Sequence, residues 1–216
     1  MLKKHRSLLS ILLVALVLYF SLVGFWTGFH AKMQIQNYVK SKTGISLAIG
    51  LTYIYPFTGN GVVKNIRLPN PPGFMSKTAF SIDEIRFKGS SKTVYGETSQ
   101  IQSMQIKGIQ IHFEPKVGGH NFQKIIQGAS AFYKGDESDH DMGFKRMYIK
   151  HMEIDPIHIT LGPAILNKNL DLEALTLDEV GTPEEGIGMY GFGRILYDKY
   201  GPTLLQTFPE LGRLKR

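Results

Sequence analysis

Five histidines lie beyond residue 30: His112, His120, His140, His151 and His158. Imidazole is a common metal ligand and general base, so their spacing is the first test for chemistry. A helical zinc site puts two histidines four residues apart with a glutamate beside one of them, and no pair here has that spacing. Asp139, His140 and Asp141 are contiguous, which reads as solvated loop charge before it reads as a cation site. In Gly186-Ile187-Gly188-Met189-Tyr190-Gly191-Phe192-Gly193 the glycines have a phosphate-cradle look, yet the Lys-Ser/Thr pair and the βαβ setting are missing. Close backbone approach at the start of a last helix explains that run better. There is no Gly-x-Ser-x-Gly elbow and no cysteine, which excludes a disulfide, a thiolate metal site and a Cys nucleophile. These residue types predict a protein that is not an enzyme, with no cofactor and no metal.

The elements around them begin with an apolar run. Lys3, Lys4 and Arg6 precede residues 8–29, which contain no charged side chain. At 1.5 Å per residue such a run covers the roughly 30 Å hydrocarbon core of a bilayer. The basic tip predicts a cytoplasmic N-terminus, with residues 30–216 across the membrane. A cleaved secretory signal shares this pattern, but the run is long and residues 25–31 lack a small-x-small cleavage site, so an uncleaved signal anchor is expected.

The formal charge of +7 suggests nucleic acid until it is placed along the chain. Three positives are Lys3, Lys4 and Arg6, and three are Arg213, Lys215 and Arg216; between residues 7 and 210 there are 19 basic and 18 acidic side chains. A near-neutral interior has little counterion release to offer a phosphate backbone, so no nucleic-acid partner is expected. Residues 32–124 carry 12 basic against 4 acidic side chains and residues 125–210 carry 7 against 14, an asymmetry that reads either as two attracting halves or as solvated surface.

After the anchor, residues 31–42 predict a short helix stopped at Gly44. The period then becomes two. Ile45, Leu47, Ile49 and Leu51 alternate with smaller or polar residues, and Gly59-Asn60-Gly61 marks a hairpin tip before a strand over 62–68. Three prolines in Pro69-Asn70-Pro71-Pro72-Gly73-Phe74 end that ladder. Strands are predicted over 79–88, 100–107, 109–114, 144–154, 157–161 and 170–177. In the first of these, Ile82 and Ile85 share a face only if the spacing breaks at Asp83-Glu84. Met147, Ile149 and His151 are expected on one side of their strand, and Gly108 at a kink or turn. Helices are expected over 121–133, with Asn121 as N-cap, and over 195–208, kinked at Gly201-Pro202. Residues 135–141 read as an acidic loop.

Several of these pieces, in this order, resemble the AsmA-like proteins of bacterial envelopes: Pro56-Phe57-Thr58-Gly59, Val62-Val63-Lys64-Asn65-Ile66-Arg67-Leu68, the 69–74 loop, Phe80-Ser81-Ile82-Asp83-Glu84-Ile85, Ile106 to Glu114, and Gly119-His120-Asn121-Phe122-Gln123-Lys124-Ile125. The resemblance covers roughly residues 8–126, with a weaker echo over 147–177. It implies an inner-membrane, single-pass protein of the periplasmic face whose larger relatives carry phospholipid along β-sheet grooves. The chain is too short for a groove that crosses a periplasm, at about 4.8 Å per strand.

The expected fold class is α+β: an N-terminal transmembrane helix, then a strand-rich, mainly antiparallel curved sheet with a few short amphipathic helices. Residues 1–30 form the basic tip and signal anchor, and residues 31–216 the periplasmic AsmA-like domain. The expected function is support of outer-membrane biogenesis or lipid homeostasis, with phospholipid acyl chains on an apolar sheet face. Candidates for that face are Ile45, Leu47, Ile49, Leu51, Ile82, Phe87, Ile109, Ile111 and Phe113. Arg213, Lys215 and Arg216 are candidates for anionic headgroups, each contributing on the order of 1 kcal/mol, or belong to a solvated tail. Membrane lipid and envelope proteins are the expected partners. The alternative is a non-enzymatic scaffold or protein-binding module with a closed core, anchored at the inner membrane.

Overall fold

Helix α1 (Leu2–Thr43) runs unbroken for 42 residues in the computed structural model, which describes residues 2–90, 98–132, 146–162 and 168–207. It is rich in Leu and contains no proline, so nothing interrupts its hydrogen-bond ladder. The helix stops at Gly44, whose φ of 68° is the left-handed closing conformation and whose N–H bonds to the Lys40 carbonyl at 2.9 Å. The apolar run and the short helix expected over 31–42 are therefore one element, and the boundary drawn at residue 30 falls inside it.

The remaining chain builds a ten-stranded mixed, mostly antiparallel sheet. Its strands are β1 (Ala48–Ile49), β2 (Thr52–Tyr55), β3 (Asn60–Pro69), β4 (Thr78–Gly89), β5 (Thr98–Lys107), β6 (Gln110–Phe113), β9 (Arg146–Ile154), β10 (Ile157–Leu161), β11 (Lys168–Leu172) and β12 (Leu175–Val180). Four of the paths across the sheet are strand pairs broken by two residues: β1 with β2, β5 with β6, β9 with β10, and β11 with β12. Together with β3 and β4 they lie side by side in chain order. All neighbours are antiparallel except β5–β6 against β9–β10, which are parallel and joined through helix α2 (Asn121–Phe132). A small hairpin of β7 (Pro115–Lys116) and β8 (Gly119–His120) precedes α2, and helix α3 (Met189–Thr207) ends the described chain as one element passing through Pro202.

Every path is interrupted at one level. The interruption leaves an apolar or buried residue on each side at i, i+3: Ile49 and Thr52, Val63 and Ile66, Ile82 and Ile85, Ile106 and Ile109, Ile154 and Ile157, Leu172 and Leu175. Three residues of a regular strand would put the second of each pair on the opposite face. The two-residue spacers absorb that half-turn, and both members stay on the apolar side. Asn65 does so at φ 55° and Gly108 at φ 65°. A Cβ on Gly108 would also lie 2.2 Å from Asp83 Oδ2, so no larger residue fits. Bonds from Gly50 N–H to the Lys64 carbonyl (3.0 Å), Asp155 N–H to the Ile106 carbonyl (2.9 Å) and His158 N–H to the Ile109 carbonyl (3.0 Å) stitch the crease together.

A second crease runs through β5, β9 and β12 nearer the hairpin tip. Ile101 and Met104 on β5 pair with Ile149 and Met152 on β9, which pair in turn with Val180 and Leu177 on β12. Glu179, between the last two, sits at φ 55°. This crease corrects the expected side of His151. Ile149 and Met152 both point inward at 1% exposure, and His151 between them faces solvent with Asp178. The expected strand over 170–177 is likewise split at Glu173-Ala174, and the break expected at Asp83-Glu84 is seen.

Helix α3 lies over the inner face and packs Phe192, Ile195, Leu196, Tyr200 and Leu204 on the cluster formed by Ile101, Ile106, Ile149, Met152, Ile154, Ile157, Ile159, Leu172, Leu175 and Val180. Each of these buried side chains contributes about 1.5–3 kcal/mol. Tyr200 also donates its hydroxyl to the Glu173 carbonyl at 2.9 Å, fastening the helix to the crease. At the start of α3, Gly186 lets the backbone pass within contact of β9: a Cβ there would meet Met147 N at 3.0 Å, and Ile187 pairs with Met147 as an isolated bridge.

Candidate functional site

The inner face of the sheet is apolar in transverse rows fixed by the pairing. From the hairpin end they are Ile54, Gly61, Phe87, Met104, Met152 and Leu177, then Thr52, Val63, Ile85, Ile106, Ile154 and Leu175. Beyond the crease come Ile49, Ile66 and Ile82, with Ile157 and Leu172 on the same level, and finally Leu68, Phe80, Ile111, Ile159 and Leu170. Burial is uneven along these rows. Under α3, on β9 to β12, the side chains are mostly closed off, while Val63, Ile66, Leu68, Phe80, Ile82, Ile85, Phe87 and Ile111 on β3, β4 and β6 are half-buried.

The nine residues proposed from sequence for a lipid-holding face divide accordingly. Ile82, Phe87 and Ile111 lie on the half-buried stripe, with Phe80, Ile85 and Met104, none of them among the nine, beside them. Ile109 is sealed in the core at 7% exposure and Ile49 is buried at 6%. Phe113 stacks on Phe122 of α2, ring centroids 6.3 Å apart, and lies 4.7 Å from the His120 ring. The run from Ile45 to Leu51 is not one alternating strand. Ile45 and Leu47 lie in the half-buried connection before β1, and the break at Gly50-Leu51 turns Leu51 outward, 44% exposed, while Thr52 takes the inward place.

Helix α1 lies along the β1–β2 edge of this sheet. Gln36 Nε2 donates to the Leu47 carbonyl at 2.8 Å and Lys32 Nζ to the Gly50 carbonyl at 2.9 Å. Further toward the helix N-terminus, Gly28 packs on the Thr52 backbone, and a Cβ there would lie 2.1 Å from its carbonyl oxygen. Gly24 receives the Tyr53 ring, whose hydroxyl donates to the Ser21 carbonyl at 3.1 Å. The Phe20 ring meets Phe57 edge-on at 5.2 Å. The two glycines one turn apart are what lets the helix touch the strand. The span over Ser10–Ser41 has a mean hydropathy of 2.2 in its most apolar window, and only 11% of that window is buried.

The opposite end of the sheet is closed by a polar clamp built from the segments between residues 69 and 121. Glu114, 4% exposed, takes the Met75 N–H on Oε1 at 2.6 Å and the Ser76 N–H on Oε2 at 3.0 Å. Asn121 is fully buried, accepts from Glu114 N–H at 3.0 Å, and donates to Asn70 Oδ1 at 2.8 Å and to the His112 carbonyl at 2.6 Å. Its side chain thus serves the sheet end. The N-cap role expected of it falls to His120, whose Nδ1 accepts from Gln123 N–H at 3.1 Å. Burial lowers the His120 pKa, which suits a ring that must stay neutral to accept that bond. Lys116 and Lys124 both approach the Phe74 ring, at 5.8 and 5.6 Å.

The outer face is polar. His151 Nδ1 lies 2.6 Å from Asp178 Oδ1 with Glu153 also in reach, and His158 Nδ1 lies 2.6 Å from Asp171 Oδ1. Asp178, then Glu153, holds the His151 pKa above its ordinary value. Lys64 and Arg86 both pair with Glu84, and Lys64 chiefly lowers the carboxyl pKa of that residue. Among the described residues no three His, Asp or Glu side chains gather as a metal-ligand set. Arg213, Lys215, Arg216 and the acidic stretch at 135–141 lie outside the described residues.

The architecture defines a class, an α+β protein with one long apolar helix laid on the edge of a mixed sheet. Compared with family models, with curated proteins and with solved structures, the chain matches none.

Proposed function

We propose that the chain is a single-pass inner-membrane protein of a bacterial envelope, anchored by α1 with its basic tip in the cytoplasm and its sheet in the periplasm. It supports outer-membrane biogenesis or lipid homeostasis by holding phospholipid acyl chains on the inner face of the sheet. The observation that carries this reading is the half-buried apolar stripe on β3, β4 and β6, beside the long apolar helix. Bulges bend strands, so the register irregularities at Leu68/Pro69 and Lys88/Gly89 support a curved inner surface. The resemblance to AsmA-like proteins agrees with both. The working residues are Phe80, Ile82, Ile85, Phe87 and Ile111, with Ile49 and Ile109 moved to a structural role.

The test is native mass spectrometry of the full chain released from detergent, comparing wild type with a Phe80→Gln, Ile82→Gln variant whose helical and sheet content is checked by circular dichroism. Retained phospholipid in the wild type, lost in a folded variant, supports the reading. Equal retention assigns the lipid to the surroundings of α1 and removes the groove. A scaffold for an envelope protein is the second reading, favoured by the closed core under α3 around Tyr200, Ile149 and Met152.

A further inference from the structure

The outer face of the sheet is charged along most of its width, with Lys64, Glu84, Arg86, Glu153, Asp178 and Asp171 on it, but it changes character at β2. There the outward residues are Leu51, Tyr53 and Tyr55, and Phe57 follows at the tip. Leu51 is 44%, Tyr55 45% and Phe57 55% exposed. Between Lys42 and Lys64 the chain has no charged side chain. A small soluble surface rarely leaves such a patch uncovered.

The strand runs antiparallel to α1, so the tip points toward the N-terminal half of the helix: Leu47 is beside Gln36, Gly50 beside Lys32, Thr52 beside Gly28, and Phe57 beside Phe20. Charge begins at a common level on both elements, Lys32 on the helix and Lys64 on β3, joined through Gly50, which binds Lys32 Nζ with its carbonyl and the Lys64 carbonyl with its N–H. Phe20 lies about 18 Å along the helix from Leu8 at 1.5 Å per residue, well inside a bilayer core of about 30 Å. Three consecutive N–H groups of the tip are satisfied internally, which lowers the cost of entry into lipid. Thr58 N–H and Gly59 N–H both bond to the Tyr55 carbonyl, at 3.3 and 2.8 Å, and Asn60 N–H bonds to Thr58 Oγ1 at 3.3 Å.

We infer that the β2–β3 hairpin tip is a second membrane contact, inserting Tyr53, Tyr55 and Phe57 into the periplasmic leaflet of the bilayer that α1 spans. This rests on the anchoring reading above and adds to it. The Tyr53 hydroxyl is already donated to the Ser21 carbonyl at 3.1 Å, and the Tyr55 ring packs edge-on against that of Tyr53 at 4.5 Å, so the pair enters as an apolar surface. Arg86 pairs with Val62 and so lies level with Tyr53, two strands in from the β2 edge; it stays at the phosphates because that edge enters first. The hairpin fixes the roll of the sheet about α1 and sets one end of the half-buried apolar stripe against lipid.

Because the chain has no native cysteine, single cysteines report depth directly. The full chain carrying Phe57→Cys, Leu13→Cys or Asp171→Cys is labelled with an environment-sensitive fluorophore. Each is reconstituted into phosphatidylcholine and phosphatidylglycerol vesicles containing lipids brominated on the acyl chains. The inference predicts quenching at positions 57 and 13 severalfold above that at 171. Quenching at 13 with position 57 no more quenched than 171 overturns the inserted hairpin and leaves the anchor standing. No quenching at 13 overturns the anchor, and the inserted hairpin with it.

Discussion

Asn121 and Glu114 hold each other at both backbone amides: Glu114 N–H donates to Asn121 Oδ1 at 3.0 Å, and Asn121 N–H donates to the Glu114 carbonyl at 3.1 Å. Their side chains then reach in opposite senses, Glu114 to the amides of Met75 and Ser76 and Asn121 to Asn70 and the His112 carbonyl. The proline-rich loop after β3, the end of β6 and the start of α2 are thereby one unit. Asn121→Ala strands several buried partners at once and is expected to cost about 2–3 kcal/mol in urea unfolding. Glu114→Ala has a similar cost and Glu114→Gln less, since one carboxamide oxygen still accepts. An Asn121→Ala cost near zero would mean that the clamp is solvated.

Thr52 stands in an apolar row between α1 and Val63, 4% exposed, and its hydroxyl finds no partner among the described residues. Thr52→Val replaces that hydroxyl with a methyl of nearly the same shape. The midpoint of unfolding is expected to rise, with a gain of about 1 kcal/mol; a loss would show that the hydroxyl is bonded.

Gly108 and Asp83 face each other across the main crease. Gly108→Ala imposes both a positive φ and a steric clash and is expected to destabilise by about 2–4 kcal/mol. With Asp83→Gly added, which removes the Cβ at 2.7 Å as well as the carboxylate, the side-chain clash is relieved and about 1 kcal/mol of backbone strain remains at residue 108. Additive effects in this double-mutant cycle would refute the contact.

His120 gives the fold an acid sensitivity. Its pKa is lowered by burial, so between the unfolded value of 6.5 and the lower native value the unfolded chain binds more protons. Its contribution is complete above 6.5 and is lost as pH falls below it. His151, held upward by Asp178, acts in the opposite sense: its contribution is present below 6.5 and fades as pH rises through its native value, and it is open to solvent and salt-screened. Thermal melts at about pH 7.5 and about pH 5.5 should show a larger acid loss for wild type than for His120→Asn. An equal loss in both would place the sensitivity elsewhere.

Much of the architecture is legible in the residues, and what is not has a physical reason. Period two marks the strands and the proline-rich loop marks the end of β3, but period two alone hides the creases. Ile82-Asp83-Glu84-Ile85 betrays a break because its spacer is doubly acidic, whereas Ile106-Lys107-Gly108-Ile109, Ile154-Asp155-Pro156-Ile157 and Leu172-Glu173-Ala174-Leu175 read singly as turns or strand ends. Aligned by pairing, they are one device repeated on every path. Leu51 was misplaced for the same reason: Ile49-Gly50-Leu51-Thr52 looks like alternation until the crease turns Thr52 inward.

The site is less legible than the fold. Hydropathy along α1 identifies an apolar helix, but nothing in a one-dimensional pattern says that Gly24 and Gly28 receive Tyr53 and Thr52. Close glycine contacts depend on a partner distant in sequence. The uneven cover of the inner face was hidden too, because it is set by where α3 lies and not by the strands it leaves half-buried.

A photoreactive phenylalanine analogue at Phe80, in the full chain in native membranes, tests the central claim most directly. Phe80 lies beyond the main crease, on the far side from the hairpin tip, where only a lipid carried up the sheet could reach it. The account predicts a phospholipid adduct at Phe80 as well as at a Leu13 control within the helix. An adduct at Leu13 with only protein or water captured at Phe80 would contradict it.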